Sequence, residues 1–492
     1  MDIAQKAYLR IQTHTEYRVL WFLLDCPEFD LVTYTGRDSD ALKPLPPVNQ
    51  LPCGPDHATL QYLLGTVNIP EASYEDHERL IDEWFNQLGW KNAGQQMKLA
   101  TTKVVPWVGD QLTMDCLRGL FKFRADDENS YKRLDFMVLA FGWLHLQMAF
   151  ANSLHKQYLG TSEGRGLRQA FELLKRKGLT RVLTQGPFHH DLEEALYHVA
   201  ERTPEELAKL AAELVRHHAS SEAMDDMDAD TENPVDEHKR QVIMWNRDVL
   251  QYIMLNQAVR HGDVGLMEDF LPVLLFRFIV GGNGNYTNEI LELLQNLHRE
   301  WPAEVCDFVR QHCWVINFSG KPGEWCEVDK AQEHNIKDMK VTYRSEGPNI
   351  QWEFLKKLHP AIHVIRGVTD YIEKQFGTLT RGKKHTIPKK EEDVQTLHKS
   401  YHTSGHHKRS ATISKIRLKK DRAEDFASDG FKKFQSGSVL GKWVHQRTFT
   451  RSKAERWEDN QGSEDEVVTT VEDEGSEEAV EVPPGSERSG DS

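Results

Sequence analysis

The stretch Lys103-Val104-Val105-Pro106-Trp107-Val108-Gly109-Asp110-Gln111-Leu112-Thr113 decides how this chain is read. Mostly apolar residues run up to Gly109-Asp110 and stop, and the segment Met114 to Phe123 that follows is compatible with a helix. A buried strand that ends on one carboxylate, beside a glycine that lets a ligand come close, sets a metal-binding acid at the edge of a sheet. Asp is also a preferred N-cap residue, so the same Asp110 could do no more than close the start of the next helix. Both readings stand until partners for Asp110 are found.

A second apolar run, Asp135-Phe136-Met137-Val138-Leu139-Ala140-Phe141-Gly142, passes into Trp143-Leu144-His145-Leu146-Gln147-Met148 and a helix expected to reach Tyr158. Upstream, Ser73 followed by Glu75 and Asp76 opens a helix whose apolar residues Leu80, Ile81, Trp84, Phe85 and Leu88 keep helical spacing up to Gly89. From about 160 to 310 the pattern is helical. Thr203-Pro204-Glu205-Glu206 combines an N-cap, a first-turn proline and a capping-box Glu, and the acidic Ala223 to Asp236 reads as an exposed loop. Val242, Trp245, Val249 and Ile253 recur at helical spacing, and Phe270 to Val280 is apolar nearly all round, hence buried. Strand-like residues return at Cys313 to Phe318 and Trp325 to Val328, about the turn Ser319-Gly320-Lys321-Pro322-Gly323. A helix through Glu333 and another from about Ile350 to Phe376 follow.

These elements predict an α/β protein with an RNase H-like mixed core interrupted by a large helical insertion. The expected parts are an irregular lead-in (1–65), the first half of the core (66–160), the insertion (161–310), the second half with helices (311–380) and a basic, then acidic, disordered tail (381–492).

The 492 residues carry a net charge of −15, very unevenly. From Ser463 on there are eleven acids against Arg488 alone. Just before this lies a basic arm from Arg381 to Arg422, with Lys383, Lys384, Lys389, Lys390, Lys408, Arg409, Lys415, Arg417, Lys419 and Lys420. Such an arm can meet phosphate backbones through salt-sensitive electrostatics, or can simply be a solvated extension. No run approaches the roughly 18 apolar residues needed to span a bilayer, so no membrane partner is expected. Met1-Asp2-Ile3-Ala4-Gln5-Lys6 lacks the order of a signal peptide, and the six cysteines have no disulfide-framework spacing. An intracellular protein is expected, with the nucleus an allowed compartment.

A strand-end acid early and a helix acid late, on either side of a helical block, is the layout of a two-metal nuclease or transposase. The expected catalytic residues are Asp110, Glu333 and Asp135, and the expected ligands of Mg²⁺ or Mn²⁺ are Asp110, Glu333 and Asp329. Glu333, Ile336, Lys337 and Lys340 share helical spacing, so Lys337 and Lys340, with Lys383, Lys384, Lys389 and Lys390 of the arm, are the candidates for contact with DNA. An exposed helix with ordinary charge pairs gives the same pattern. The middle acid is the gap: Asp135 starts its run rather than ending it, and the far end offers Gly142, Trp143 and His145, the last a ligand, a proton shuttle or a structural histidine. Asp126 and Asp127 read as solvated turn residues. Gly281-Gly282-Asn283-Gly284-Asn285 lacks the Gly-Lys-Ser/Thr ending of a P-loop, so nucleotide hydrolysis is not expected. His312, Cys313 and Cys326 lack zinc-finger spacing.

The strings WVGDQLTMDCLRGLFKFRADDENSYKRLD, FGWLHLQMAFANSLHKQYLG, AVRHGDVGLMEDFLPVLLFRF, GGNGNYTNEILELLQ and VDKAQEHNIKDMKVTYRSEGPNIQWEFLKKLHPAIHVIR resemble a family abundant in mushroom-forming fungi, domain of unknown function 6589. The resemblance runs from about residue 60 to 400. It implies no established activity, and the multiplication of such genes, like that of mobile elements, implies a transposase-derived origin. More distant animal members look as if they carry Asp-Trp-His where this chain has Trp143-Leu144-His145, so an acid of the family pattern is replaced here. Two functions therefore compete: a transposase-derived, metal-dependent nuclease or polynucleotidyl transferase acting on DNA, and a non-catalytic nucleic-acid- or protein-binding remnant of a mobile element.

Overall fold

In a computed structural model, helices form nearly all of the regular structure. The described residues are 2–24, 32–71, 73–161, 166–180, 188–200, 237–343, 352–376, 390–404 and 422–447. In chain order the first elements are α1 (Asp2–Leu24), α2 (Tyr74–Gln87), α3 (Ala93–Thr102), β1 (Val105–Gly109), α4 (Gln111–Phe123), β2 (Met137–Phe141), α5 (Trp143–Tyr158), α6 (Leu167–Leu173) and α7 (Phe188–Ala200). Then come α8 (Glu237–His261), α9 (Val264–Gly281), α10 (Gly284–Gln295), α11 (Ala303–His312), β3 (Val315–Ile316), β4 (Cys326–Glu327) and α12 (Val328–Tyr343). The last are α13 (Trp352–Leu358), α14 (Ile362–Phe376), α15 (Lys390–Ser404), α16 (Phe426–Gln435) and α17 (Ser438–Arg447).

The helix α9 is the axis of the core. Its run of Phe270, Leu271, Leu274, Leu275 and Phe278 is wholly or almost wholly buried, because α1, α5, α8, α10 and α16 pack around it. A helix apolar all round can only be stable when enclosed in this way. Arg277 is the exception in that run and is itself buried; it pairs with Asp248 of α8.

The expected RNase H-like α/β core is not what forms. Among the described residues β1 and β2 make one parallel pair, with Val105 opposite Met137 and Gly109 opposite Phe141, while β3 and β4 make a separate antiparallel pair of two residues each. The two halves do not share a sheet. Both-sided apolar runs such as 136–141 look like interior strands of a wide parallel sheet; here helices supply the cover, and no third strand is needed. The helical block is accordingly the body of the fold rather than an insertion into it.

Two ends also differ from expectation. The lead-in opens with α1, whose Ala7, Ile11, Thr15 and Val19 are buried at every fourth position, and Arg10 of α1 donates to Asp269. The residues from 32 to 71 are irregular, held by backbone bonds such as Gly54 N–H to Gly320 O (2.7 Å) and Thr59 N–H to Asn317 O (2.7 Å). Within 381–492, the helices α15, α16 and α17 are packed: Leu397, Phe426 and Trp443 are buried. A Cβ on Gly430 would lie 1.7 Å from the carbonyl oxygen of Phe276, so α16 touches α9 backbone to backbone. The capping box read at Thr203, the acidic loop 223–236 and the acidic end from Ser463 lie outside the described residues.

Candidate functional site

Parallel pairing makes β1 and β2 end side by side, and each strand feeds a helix at the same edge. Asp110 is the N-cap of α4, its Oδ1 accepting from Thr113 N–H (2.9 Å) and Thr113 Oγ1 (2.8 Å). The cap position of α5 is Gly142, which has no side chain to offer. The cap comes instead from Asp329, in the first turn of α12. Its Oδ1 accepts from Leu144 N–H (3.1 Å), and its Oδ2 from His145 N–H (3.1 Å) and His145 Nδ1 (2.9 Å). These are amides of the first turn of α5, whose positive end favours an anion. The glycine is required: a Cβ at position 142 would lie 2.2 Å from Asp329 Oδ2.

The bond to Asp329 raises the pKa of His145 above 6.5, against the desolvation that opposes it, and the charges of Asp329, Asp110 and Glu333 push the same way. Glu333 lies one turn beyond Asp329 on α12 and is exposed, as is Asp110. Tyr286, near the start of α10, faces the same group: burial lifts its phenol well above 10, and the charges of Asp329 and Asp110 add to it. Desolvation, opposed by His77 and assisted by Asp110, also holds the Glu71 carboxyl above its usual range. The edge therefore brings acids from two segments, Asp110 before α4 and Asp329 with Glu333 on α12, towards one imidazole, with Glu71 acting on Asp110 from a third. Among the described residues, neither Asp110 nor Glu333 has a Lys or Arg in an ion pair.

Of the residues expected from sequence, Asp110, Asp329 and Glu333 come to this edge and Asp135 does not. Asp135 precedes β2 and accepts from Arg133 Nε (3.0 Å), so the whole five-residue strand, about 16 Å at about 3.3 Å per residue, lies between it and the edge. Lys337 is exposed on α12, and Lys340 lies on the same helix. Lys390 begins α15, while Lys383, Lys384 and Lys389 lie outside the described residues. The Gly281–Asn285 segment is the tight link between α9 and α10, with Gly282 left-handed at φ 85°. His145 and Tyr286 are the residues that sequence reasoning undervalued. A glycine cap followed three residues later by His was the available signal for the first, and nothing local marked the second.

A family model described as "Family of unknown function (DUF6589)" matches residues 1–385. The chain belongs to that family. No curated protein and no solved structure matches it. The DUF6589 match takes in α1 and the irregular segment after it, so the lead-in is part of the family domain and not an addition to it. Asp110, His145, Tyr286, Asp329 and Glu333 all fall inside the match; α15, α16 and α17 fall beyond it. No helix among the described residues is long and apolar enough to cross a membrane, and the five described cysteines are all free.

Proposed function

We propose that the edge formed by the ends of β1 and β2 binds a divalent cation, Mg²⁺ or Mn²⁺, through Asp110 and Glu333, and serves phosphodiester chemistry on DNA. What carries the reading is the placement of Asp110, Asp329 and Glu333 where their charges act together on His145, with no cationic side chain among the described residues paired to the two exposed acids. Hard oxygen donors suit these ions. A bound ion would polarise a phosphoryl oxygen and lower the pKa of its water. Within the chain, Asp329 has both oxygens engaged by α5 and acts as the positioning residue. An ionised carboxylate only accepts, so His145 Nδ1 donates to it and Nε2 is left to take or give a proton. Lys337, one turn beyond Glu333, would meet a phosphate. A transposase-derived origin, implied by the family resemblance, would make the polymer DNA and the compartment the nucleus.

One observation favours the non-catalytic reading: Asp110 and Asp329 each cap a helix, which explains both acids without a metal. Asp110→Asn separates the two, since Asn keeps a good cap while the charge is lost. Calorimetry with Mn²⁺ on wild type and Asp110→Asn, together with cleavage of end-labelled DNA, tests it. The expected result is Mn²⁺ binding and metal-dependent cleavage in wild type, both lost in the variant. Absence of Mn²⁺ binding in wild type leaves the capping role as the whole account.

A further inference from the structure

Away from that edge, three ligand-type side chains from two distant parts of the chain meet. Glu194 and His198 lie one turn apart on α7, hence on one face. Asp393 arrives from the first turn of α15. One ligand atom of each lies within 4.8 Å of the other two. His198 is buried, and its Nδ1 is 2.8 Å from Asp393 Oδ2 and 3.9 Å from Glu194 Oε1. Donors about 2.0–2.1 Å from a tetrahedral zinc ion stand roughly 3.3 Å apart. The two spacings fall on either side of that edge length, so shifts of about half an ångström would close the polyhedron.

Arg176 is the competitor. Its guanidinium donates to Glu194 Oε1 (2.9 Å) and Asp393 Oδ2 (2.6 Å), which by itself makes an ion-pair latch. Each carboxylate nevertheless has a second oxygen. Two carboxylates and a neutral imidazole carry two negative charges, of which Arg176 balances one. An arginine bonded to ligating carboxylates is also a usual way to orient them. One nitrogen and two oxygens suit a borderline ion better than Mg²⁺, which prefers oxygen alone.

We propose that Glu194, His198 and Asp393 form a zinc site with a fourth position for water, which ties α15 to α7. Since α15 starts beyond residue 385, the ion would fasten a segment outside the DUF6589 match onto the family domain. The site is separate from the strand edge and does not rest on the function proposed there.

The test is zinc calorimetry on the full-length protein after removal of metals with a chelator, read beside the visible spectrum after Co²⁺ loading. Wild type should bind zinc and, with Co²⁺, show the ligand-field bands of a tetrahedral site. Asp393→Asn and His198→Gln should each weaken zinc binding at least ~10- to 100-fold and lose those bands. If His198→Gln fails to fold, the isosteric Asp393→Asn decides alone. No zinc uptake by wild type, or unchanged affinity in Asp393→Asn, overturns the site and leaves an ion-pair latch only.

Discussion

Two polar clusters in this molecule are both built on carboxylates and are balanced in opposite ways. In the core, Asp248 accepts from Tyr158 Oη (2.6 Å) and Arg247 Nε (2.8 Å) and pairs with Arg277, while Arg247 reaches Asp425 (2.9 Å). Two acids meet two arginines, and Arg277 finds a further acceptor in Gln157 (2.5 Å). Burial alone would raise the pKa of Asp248; Arg247 and Arg277 outweigh it and hold the group at about 2. At the strand edge, Asp110, Asp329 and Glu333 face a single histidine. The first cluster has used its charge internally. The second has charge to spare and is open to solvent at Asp110 and Glu333, which is the difference expected between a structural network and a binding site.

The largest effect should come from unbalancing the core. Asp248→Ala leaves the buried Arg277 without its acid and Arg247 with Asp425 alone, and should cost ~3–5 kcal/mol in urea unfolding. The folded pKa of Asp248 lies below that of a free carboxyl, 3.8. Its contribution is therefore complete above about pH 4 and is lost as pH falls towards about 2, the interval in which the unfolded chain holds more protons. Asp248→Asn should flatten that acid limb. A loss under ~1 kcal/mol would mean that the network is no more demanding than surface charge, and the contrast would fail.

Next is Gly430→Ala. Its Cβ would stand 1.7 Å from backbone, which cannot move aside like the end of a side chain, so α16 must lift from α9. A cost of at least ~1–3 kcal/mol in thermal unfolding is expected. No loss would show that α16, which carries the cap residue Asp425 next to it, adds little to the core network.

Legibility in the sequence followed range. The strand runs that became β1 and β2, the Ser73 cap, the helices α5, α8 and α9, and the 319–323 turn were all visible, because each is set by neighbours a few residues apart. The sheet was misjudged because a run apolar on both faces says that a strand is covered and not by what. The helix α1 was missed because its buried stripe, at 7, 11, 15 and 19, is one residue wide. Short α15, α16 and α17 were missed because each hangs on one or two anchors such as Leu397, Phe426 and Trp443 in polar surroundings. At the edge, Asp110 and Glu333 could be named, but the cap of α5 crosses 185 positions, which no local pattern encodes. Arg277, alone in an apolar run, was a readable hint of a buried acid.

Gly142→Ala comes third and bears on the edge itself. The new methyl displaces the Asp329 carboxylate and leaves the first turn of α5 uncapped, a loss of ~1 kcal/mol in thermal unfolding. In an NMR titration His145 should fall back towards 6.5, because its hydrogen bond to Asp329 is the largest cause of its elevation. A histidine that titrates unchanged would show that Asp329 does not hold it.

The smallest effect on stability should come from Glu333→Gln, and it cuts the comparison most finely. The side chain is exposed and takes part in no ion pair among the described residues, so removing its charge should shift metal-free stability within ~0.5 kcal/mol, towards greater stability if repulsion from Asp110 and Asp329 is felt. With Mn²⁺ the order should reverse. A ligand present at 100 times its dissociation constant stabilises the folded state by about 2.7 kcal/mol. Wild type should gain on that scale, while Glu333→Gln should gain much less. Asp248→Asn, which alters a network away from the strand edge, should gain as much from Mn²⁺ as wild type does. Equal responses of Glu333→Gln and wild type would place the ion elsewhere, and the spare charge at the strand edge would then be a solvated surface like any other.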